Sequence, residues 1–181
     1  MIVLGIDPGT AITGYGVVRS DDGLASGLNG AIAKSAHGAP RLIECGVIRT
    51  SPRAPLASRL QDIFEGVTEL IERHHPDALA VEDVFYARNV RTTVVLGHAR
   101  GVVLLAGARA GVTIHEYAPA LIKKTVVGRG AATKEQVQFM VARLLRLKSA
   151  PQPADAADGV ACALTCVMSA GTAKLHLRIA G

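Results

Sequence analysis

The sequence predicts an α/β domain, with a five-stranded mixed sheet flanked by helices. Three observations carry this expectation. Ile2-Val-Leu-Gly-Ile-Asp7 and Ala78-Leu-Ala-Val-Glu82 are short apolar runs that each stop at an acid, as strands buried on both faces do when their ends open on a cleft. The first run is followed, across Pro8-Gly-Thr10, by Thr13-Gly-Tyr-Gly-Val-Val18, which reads as a returning strand. Longer segments elsewhere repeat their apolar residues at the helical period.

Taken in order, residues 1–7 and 13–19 are expected to be the first two strands of a hairpin. Residues 20–40 are rich in Gly, Ala and Ser, carry the turn signal Asp21-Asp-Gly23, and are read as an extended hairpin tip or insertion. Arg41–Arg49 is a third strand, antiparallel to the second. Pro52 and Pro55 lead into a helix over Leu56–His74, whose apolar face is Leu60, Ile63, Phe64, Val67, Leu70 and Ile71. His75-Pro-Asp77 ends it. Ala78–Glu82 is then a central strand of the same design as the first. Glu82 and Asp83 are adjacent and must face opposite sides, so only one can share a cleft with Asp7, and periodicity leaves open which. Asp7 could alternatively cap its own turn.

Residues 85–91 form a polar link in which Phe85 and Tyr86 lie beside Arg88 and Arg91. Aromatics among arginines suit stacking on unpaired bases, although both rings could instead pack under the next helix. That helix is expected over 92–110. Gly97 and Gly101 permit close helix approach, and its apolar length exceeds what one face needs, so part of it is assigned to a dimer interface. Residues 112–117 are a fifth strand, and Pro119 opens a short helix containing Lys123 and Lys124. Thr133-x-x-Gln136 is a capping box that starts a helix to about Leu147. Lys123, Lys124, Arg129 and Lys134 thus lie near two helix N-termini and a glycine turn, where phosphates are well held, although the same charges would serve equally as an ordinary solvated surface. Pro151–Asp158 leads into the last helix, which runs to about Ser169. Asp155 and Asp158 are spaced to share one face of its start, where the dipole also favours acids as caps. One domain over 1–170 is expected, with 171–181 a basic, disordered tail.

Composition narrows the function. The chain has 181 residues, enough for a core without disulfides, and the core must be aliphatic because apolar residues make up 49% and aromatics only 3%. A formal charge of +5 beside several strand-end acids suggests a polyanionic partner and a local acidic site. The three cysteines, an odd count with no CxxC, argue against a disulfide framework and a zinc knuckle. Cys162 and Cys166 fit buried thiols in a reducing cytoplasm. The apolar start is short and has no basic leader, and residues 94–111 are interrupted by His98, Arg100 and Arg109, so a cytoplasmic protein with no membrane span is expected.

If the first and fourth strands are neighbours and the last helix crosses them, their carboxylates converge. Such a cluster repels itself without a counter-charge. Hard divalent cations take oxygen ligands, and two of them about 3.5–4 Å apart can activate water and stabilise the leaving oxygen of a phosphodiester.

These residues carry a resemblance. Gly5-Ile-Asp-Pro-Gly-Thr10 with Thr13-Gly-Tyr-Gly16, Val81-Glu-Asp-Val-Phe85 with Ala87-Arg-Asn89, Gly97-His-Ala-Arg-Gly101, Lys124-Thr-Val-Val-Gly128 and Ala154-Asp-Ala-Ala-Asp158 together resemble the RuvC-type Holliday-junction resolvases of the ribonuclease-H-like superfamily. The resemblance implies a ribonuclease-H-like fold. It also implies a structure-specific endonuclease that resolves four-way DNA junctions by paired symmetric cuts in recombination and repair, leaving 5′-phosphate and 3′-hydroxyl ends. It implies an acidic tetrad of Asp7, Glu82, Asp155 and Asp158 as catalytic residues and metal ligands, which selects Glu82 over Asp83. Phe85 matches the aromatic that stacks at the junction, with Tyr86 beside it, and Lys123 and Lys134 match DNA-contacting positions. A homodimer, two Mg²⁺ or Mn²⁺ ions and a branch-migration motor of the RuvA and RuvB type are implied as well.

Residues 20–40 are longer than the family's usual hairpin connection. Three rivals remain at this point. An ATP-binding domain of the actin and sugar-kinase type shares the Asp-x-Gly-Thr turn, but it is duplicated, and 181 residues cannot supply both halves. A junction-binding module without cleavage would not need all four acids. A relative acting on RNA would use the same carboxylates.

Overall fold

Strands that are apolar on both faces need cover on both faces, and the chain supplies it with helices from its middle and its end. The computed structural model describes residues 1–20, 39–83 and 90–179, with side chains to residue 169. Its elements are β1 (Ile2–Asp7), β2 (Ile12–Arg19), β3 (Arg41–Arg49), α1 (Leu56–His74), β4 (Ala78–Glu82), α2 (Val90–Arg109), β5 (Thr113–Tyr117), α3 (Pro119–Val127), α4 (Lys134–Leu144) and α5 (Ala154–Ile179). The sheet order is β3-β2-β1-β4-β5. The first three strands are antiparallel, and β1–β4 and β4–β5 are parallel.

Alternation along β1 divides the core in two. Leu4 and Ile6 join Val17, Leu79 and Val81 beneath α1 and α2, where Ile63, Val67, Ala99 and Val103 meet them. Val3 faces the other way, with Val18, Ala78 and Ala80, under α3, α4 and α5. The aliphatic core expected from composition is present: the largest fully buried side chains are Leu, Ile and Val. Each such side chain contributes roughly 1.5–3 kcal/mol on burial.

Register is set at the start of β1. The Ile2 N–H donates to Asp77 Oδ2 at 2.6 Å, and the Asp77 N–H donates to the Ile2 carbonyl at 2.9 Å. This clamp pairs Val3 with Ala78 and Ile6 with Val81, so Asp7 and Glu82 leave the sheet side by side. The Pro8–Thr10 turn is closed by Thr13, whose Oγ1 donates to the Gly9 carbonyl at 2.7 Å. Thr13 Oγ1 also accepts the Gly9 N–H at 3.3 Å, the turn N–H that an Asp7 carboxylate would otherwise be placed to accept.

The helices follow their patterns with small changes at the ends. α1 buries Ile63, Val67, Leu70 and Ile71 and ends at His75, in the left-handed region at φ 43°. The capping box is formed, with Gln136 N–H donating to Thr133 Oγ1 at 3.3 Å and Thr133 N–H to Gln136 Oε1 at 3.0 Å. α4 stops at Leu144, short of Leu147, because Arg146 turns to φ 55°. α5 continues to Ile179, past the end expected near Ser169, so the backbone of the expected tail is helical to that point. No proline interrupts residues 154–179, and good helix formers such as Ala173, Lys174 and Leu175 sustain the turn. No helix among the described residues is long and apolar enough to cross a membrane.

Candidate active site

The site lies where β1 and β4 end under the start of α5. Asp7 has the parity of Val3, which packs toward α5, and Glu82 has the parity of Ala78 and Ala80 on the same face. Asp83 consequently points to the α2 side. The choice between the adjacent acids thus follows from strand alternation together with the register.

The first turn of α5 reaches these strand ends because the helix rests on bare backbone. A Cβ added at Gly14 would overlap the Asp155 carbonyl oxygen, and one at Gly16 would overlap Val160. From the helix side, a Cβ at Gly159 would come within 2.6 Å of Tyr15 Cα. Glycines alternating on β2 and one facing back from α5 remove the side-chain layer that normally separates helix from sheet. Asp155 and Asp158 are thereby lowered onto the end of β1.

One carboxylate oxygen each from Asp7, Asp155 and Asp158 lies within 4.8 Å of the others. Glu82 stands outside that group of three but lines the same cleft, of about 180 Å³, with Asp7 and Asp158. Pro119, Ile122, Val137 and Ala161 make its apolar wall, and Lys123 and Lys134 bring positive charge to it. Lys134 Nζ donates to Asp158 Oδ2 at 2.9 Å.

Burial and mutual repulsion hold protons on the inner acids. Asp7 is pushed up from 3.8 to about 7, first by burial and then by Asp158 and Asp155, against the opposing pull of Lys134. Glu82 is pushed up from 4.5 to about 8, by burial and then by Asp7 and Asp158, against Lys134 and Lys123. The two lysines therefore fall short of neutralising the cluster. Among the described residues its donors are oxygen only, with no imidazole or thiolate. An under-neutralised, all-oxygen cage suits a hard divalent cation such as Mg²⁺ or Mn²⁺.

The other sequence-predicted residues scatter. Arg91 is exposed in the first turn of α2. The short helix opened by Pro119 forms as expected, with Lys123 at its middle and Lys124 one residue on, so neither lysine sits at its N-terminus. Lys134 alone among the four cations opens a helix. Lys124 and Arg129 are exposed. Phe85, Tyr86, Arg88 and most of 20–40 lie outside the described residues. Sequence reasoning missed why Gly14, Gly16 and Gly159 matter, although the alternate glycines of β2 were a visible signal. It also gave no role to Asp83, Arg100 or Glu116, which form an ion-pair group at the back of the site.

The fold and the carboxylate cleft define the class: an α/β nuclease of ribonuclease-H-like architecture. The family model described as crossover junction endodeoxyribonuclease RuvC matches residues 3–166. RuvC of Heliobacterium modesticaldum is 46% identical over 169 residues, covering 93% of this chain and 95% of its own. RuvC of Pelotomaculum thermopropionicum is 43% identical over 164 residues, 91% of each chain. The Thermus thermophilus RuvC structure matches with a TM-score of 0.82 at 38% identity, covering 96% of this chain and 97% of that one. The same protein has been solved in complex with Holliday junction substrate, and that structure matches with a TM-score of 0.82 at 37% identity, covering 96% of each chain. The chain belongs to the RuvC family of crossover junction endodeoxyribonucleases.

Proposed function

We propose that Asp7, Glu82, Asp155 and Asp158 are the hydrolytic centre with which this enzyme makes paired cuts in four-way DNA junctions, and that together they hold two Mg²⁺ or Mn²⁺ ions. The observation that carries this reading is the meeting of three carboxylate oxygens within 4.8 Å, from two remote segments, in a cleft shared with Glu82. When bound, the cations supply charge that stabilises the developing negative charge on the scissile phosphate and lower the pKa of water. The chain's own residues do the rest. Asp7 and Glu82, on adjacent strands, give the cage a rigid floor, and Asp155 and Asp158 close it from α5. Lys134 steadies Asp158, and Lys123 draws the DNA backbone to the cleft. Ile122 and Val137 keep one wall dry, which strengthens every charge interaction within it.

Lys124, Arg129, Arg88 and Arg91 are assigned to phosphate contacts, and Phe85 and Tyr86 to stacking on bases at the exchange point. The junction complex of the Thermus relative supports this class of substrate. A junction has near two-fold symmetry, so a homodimer would place one site on each of two opposed strands. The outer face of α2, with Val90, Val94 and Leu105 exposed and Gly97 and Gly101 open, is the surface assigned to that dimer. Residues 1–170 are taken as one nuclease domain, acting in the cytoplasm beside a motor of the RuvA and RuvB type. Cleavage of a mobile four-way junction by wild type and by Asp7→Asn in Mg²⁺ tests the reading. The variant is expected to bind the junction and leave it uncut, and equal cutting by both proteins would refute the assignment.

A further inference from the structure

Glu82 and Asp83 are consecutive carboxylates at the exit of β4, and the sheet sends them opposite ways. The Asp83 N–H still donates to the Tyr117 carbonyl at 2.9 Å, so the backbone is held on β5 one residue beyond the last of β4. Its side chain turns to α2, where Oδ1 lies 3.2 Å from Arg100 Nε, as an ion pair rather than an aligned hydrogen bond. The same guanidinium binds Glu116 on β5, the register partner of Val81. One half-buried cation therefore ties a helix to the ends of two parallel strands, one residue from the Glu82 carboxylate.

This placement answers a mechanical difficulty. Glu82 faces like charges on Asp7 and Asp158 across the cleft, and it stands where the strand ends, so swivelling the strand exit would relieve the repulsion. Asp83 would then carry a further carboxylate toward the cleft. Arg100 opposes both movements, since it holds Asp83 on the far face and anchors it to a neighbouring strand.

We propose that Arg100 is a positioning residue for cleavage: by gripping Asp83 and Glu116 it fixes the exit of β4, and with it the direction of Glu82 into the cleft. The inference rests on the catalytic reading of Glu82. The test is steady-state cleavage of a four-way junction in saturating Mg²⁺ by Arg100→Gln, Arg100→Lys, Asp83→Asn, the Arg100→Gln/Asp83→Asn double variant and Glu82→Gln, with junction binding and Tm measured in parallel. Arg100→Gln and Asp83→Asn are each expected to lower kcat by about tenfold to a hundredfold, with KM for the junction nearly unchanged, as a misplaced catalytic group does. The double variant should fall no further than the worse single one, because both remove one interaction. Arg100→Lys should recover part of kcat. Wild-type cutting by Arg100→Gln beside an inactive Glu82→Gln would overturn this inference alone. So would a kcat deficit that disappears on cooling, since a purely stabilising ion pair behaves that way. An active Glu82→Gln would instead overturn the catalytic reading beneath it.

Discussion

Lys134, the first residue of α4, donates from Nζ to Asp158 Oδ2 on α5 at 2.9 Å, so a cation expected to touch DNA also neutralises a candidate metal ligand. Under the proposed function, Lys134 would compete with divalent ions for Asp158 while drawing in the phosphate backbone. Lys134→Gln should weaken junction binding and reduce its log–log salt slope by about 1, while the Mg²⁺ concentration for half-maximal cleavage falls. Salt-dependent binding and Mg²⁺ titration of the same preparation check both effects. A rise in the Mg²⁺ requirement would mean that the lysine organises the site more than it competes there.

The raised proton affinities of Asp7 and Glu82 fix the direction of a pH effect. Both acids bind protons more tightly in the folded protein than in the unfolded chain, where 3.8 and 4.5 are the ordinary values. Stability must then fall as pH rises through the window from those values to about 7 and about 8, and the loss is complete above it. The metal-free protein should melt several degrees lower at about pH 8.5 than at about pH 5.5, an effect of a few kcal/mol. Mg²⁺ needs ionised carboxylates, so its stabilising shift should be larger at the higher pH. Thermal melts with and without Mg²⁺ across the range decide it, and a flat metal-free profile would contradict the buried, self-repelling cluster.

Asp7→Asn removes the most crowded charge in that cluster. The variant should be more stable than wild type without metal near pH 8, and less responsive to added Mg²⁺. Loss of cutting with a gain in metal-free Tm would distinguish a strained functional acid from a structural one.

Gly14→Ala tests the contact that lowers α5 onto the sheet. The new methyl must displace the Asp155 carbonyl, which is backbone and cannot swing aside. A cost of about 1–3 kcal/mol is expected. Cleavage should suffer more than junction binding, because the displaced turn carries Asp155. Equal losses would imply general unfolding, which circular dichroism would register.

Val94→Glu places a charge on the exposed apolar face of α2. If that face joins two copies, sedimentation should show a shift to monomers at micromolar concentration, with single-strand nicks replacing paired cuts. An unchanged sedimentation profile would move the dimer contact elsewhere.

The first and fourth strands, the long helix with its six-residue apolar face, the capping box at Thr133 and the paired acids of the last helix were all readable in the residue pattern. Each depends on local chemistry: a period, a turn residue, a cap. Convergence was not readable in that way. Asp7 stands beside Glu82 because Asp77 sets the register of the two strands, and it meets Asp155 and Asp158 because bare glycines admit α5 to the sheet. Alternation made Glu82 and Asp83 rivals, and it took the pairing with β1 to give Glu82 the cleft and Asp83 to Arg100. The elements and the inventory of acids were therefore written in the sequence by itself. Which acids share a pocket, and how many protons they keep, depends on distances between remote segments, and those exist only once the chain has packed.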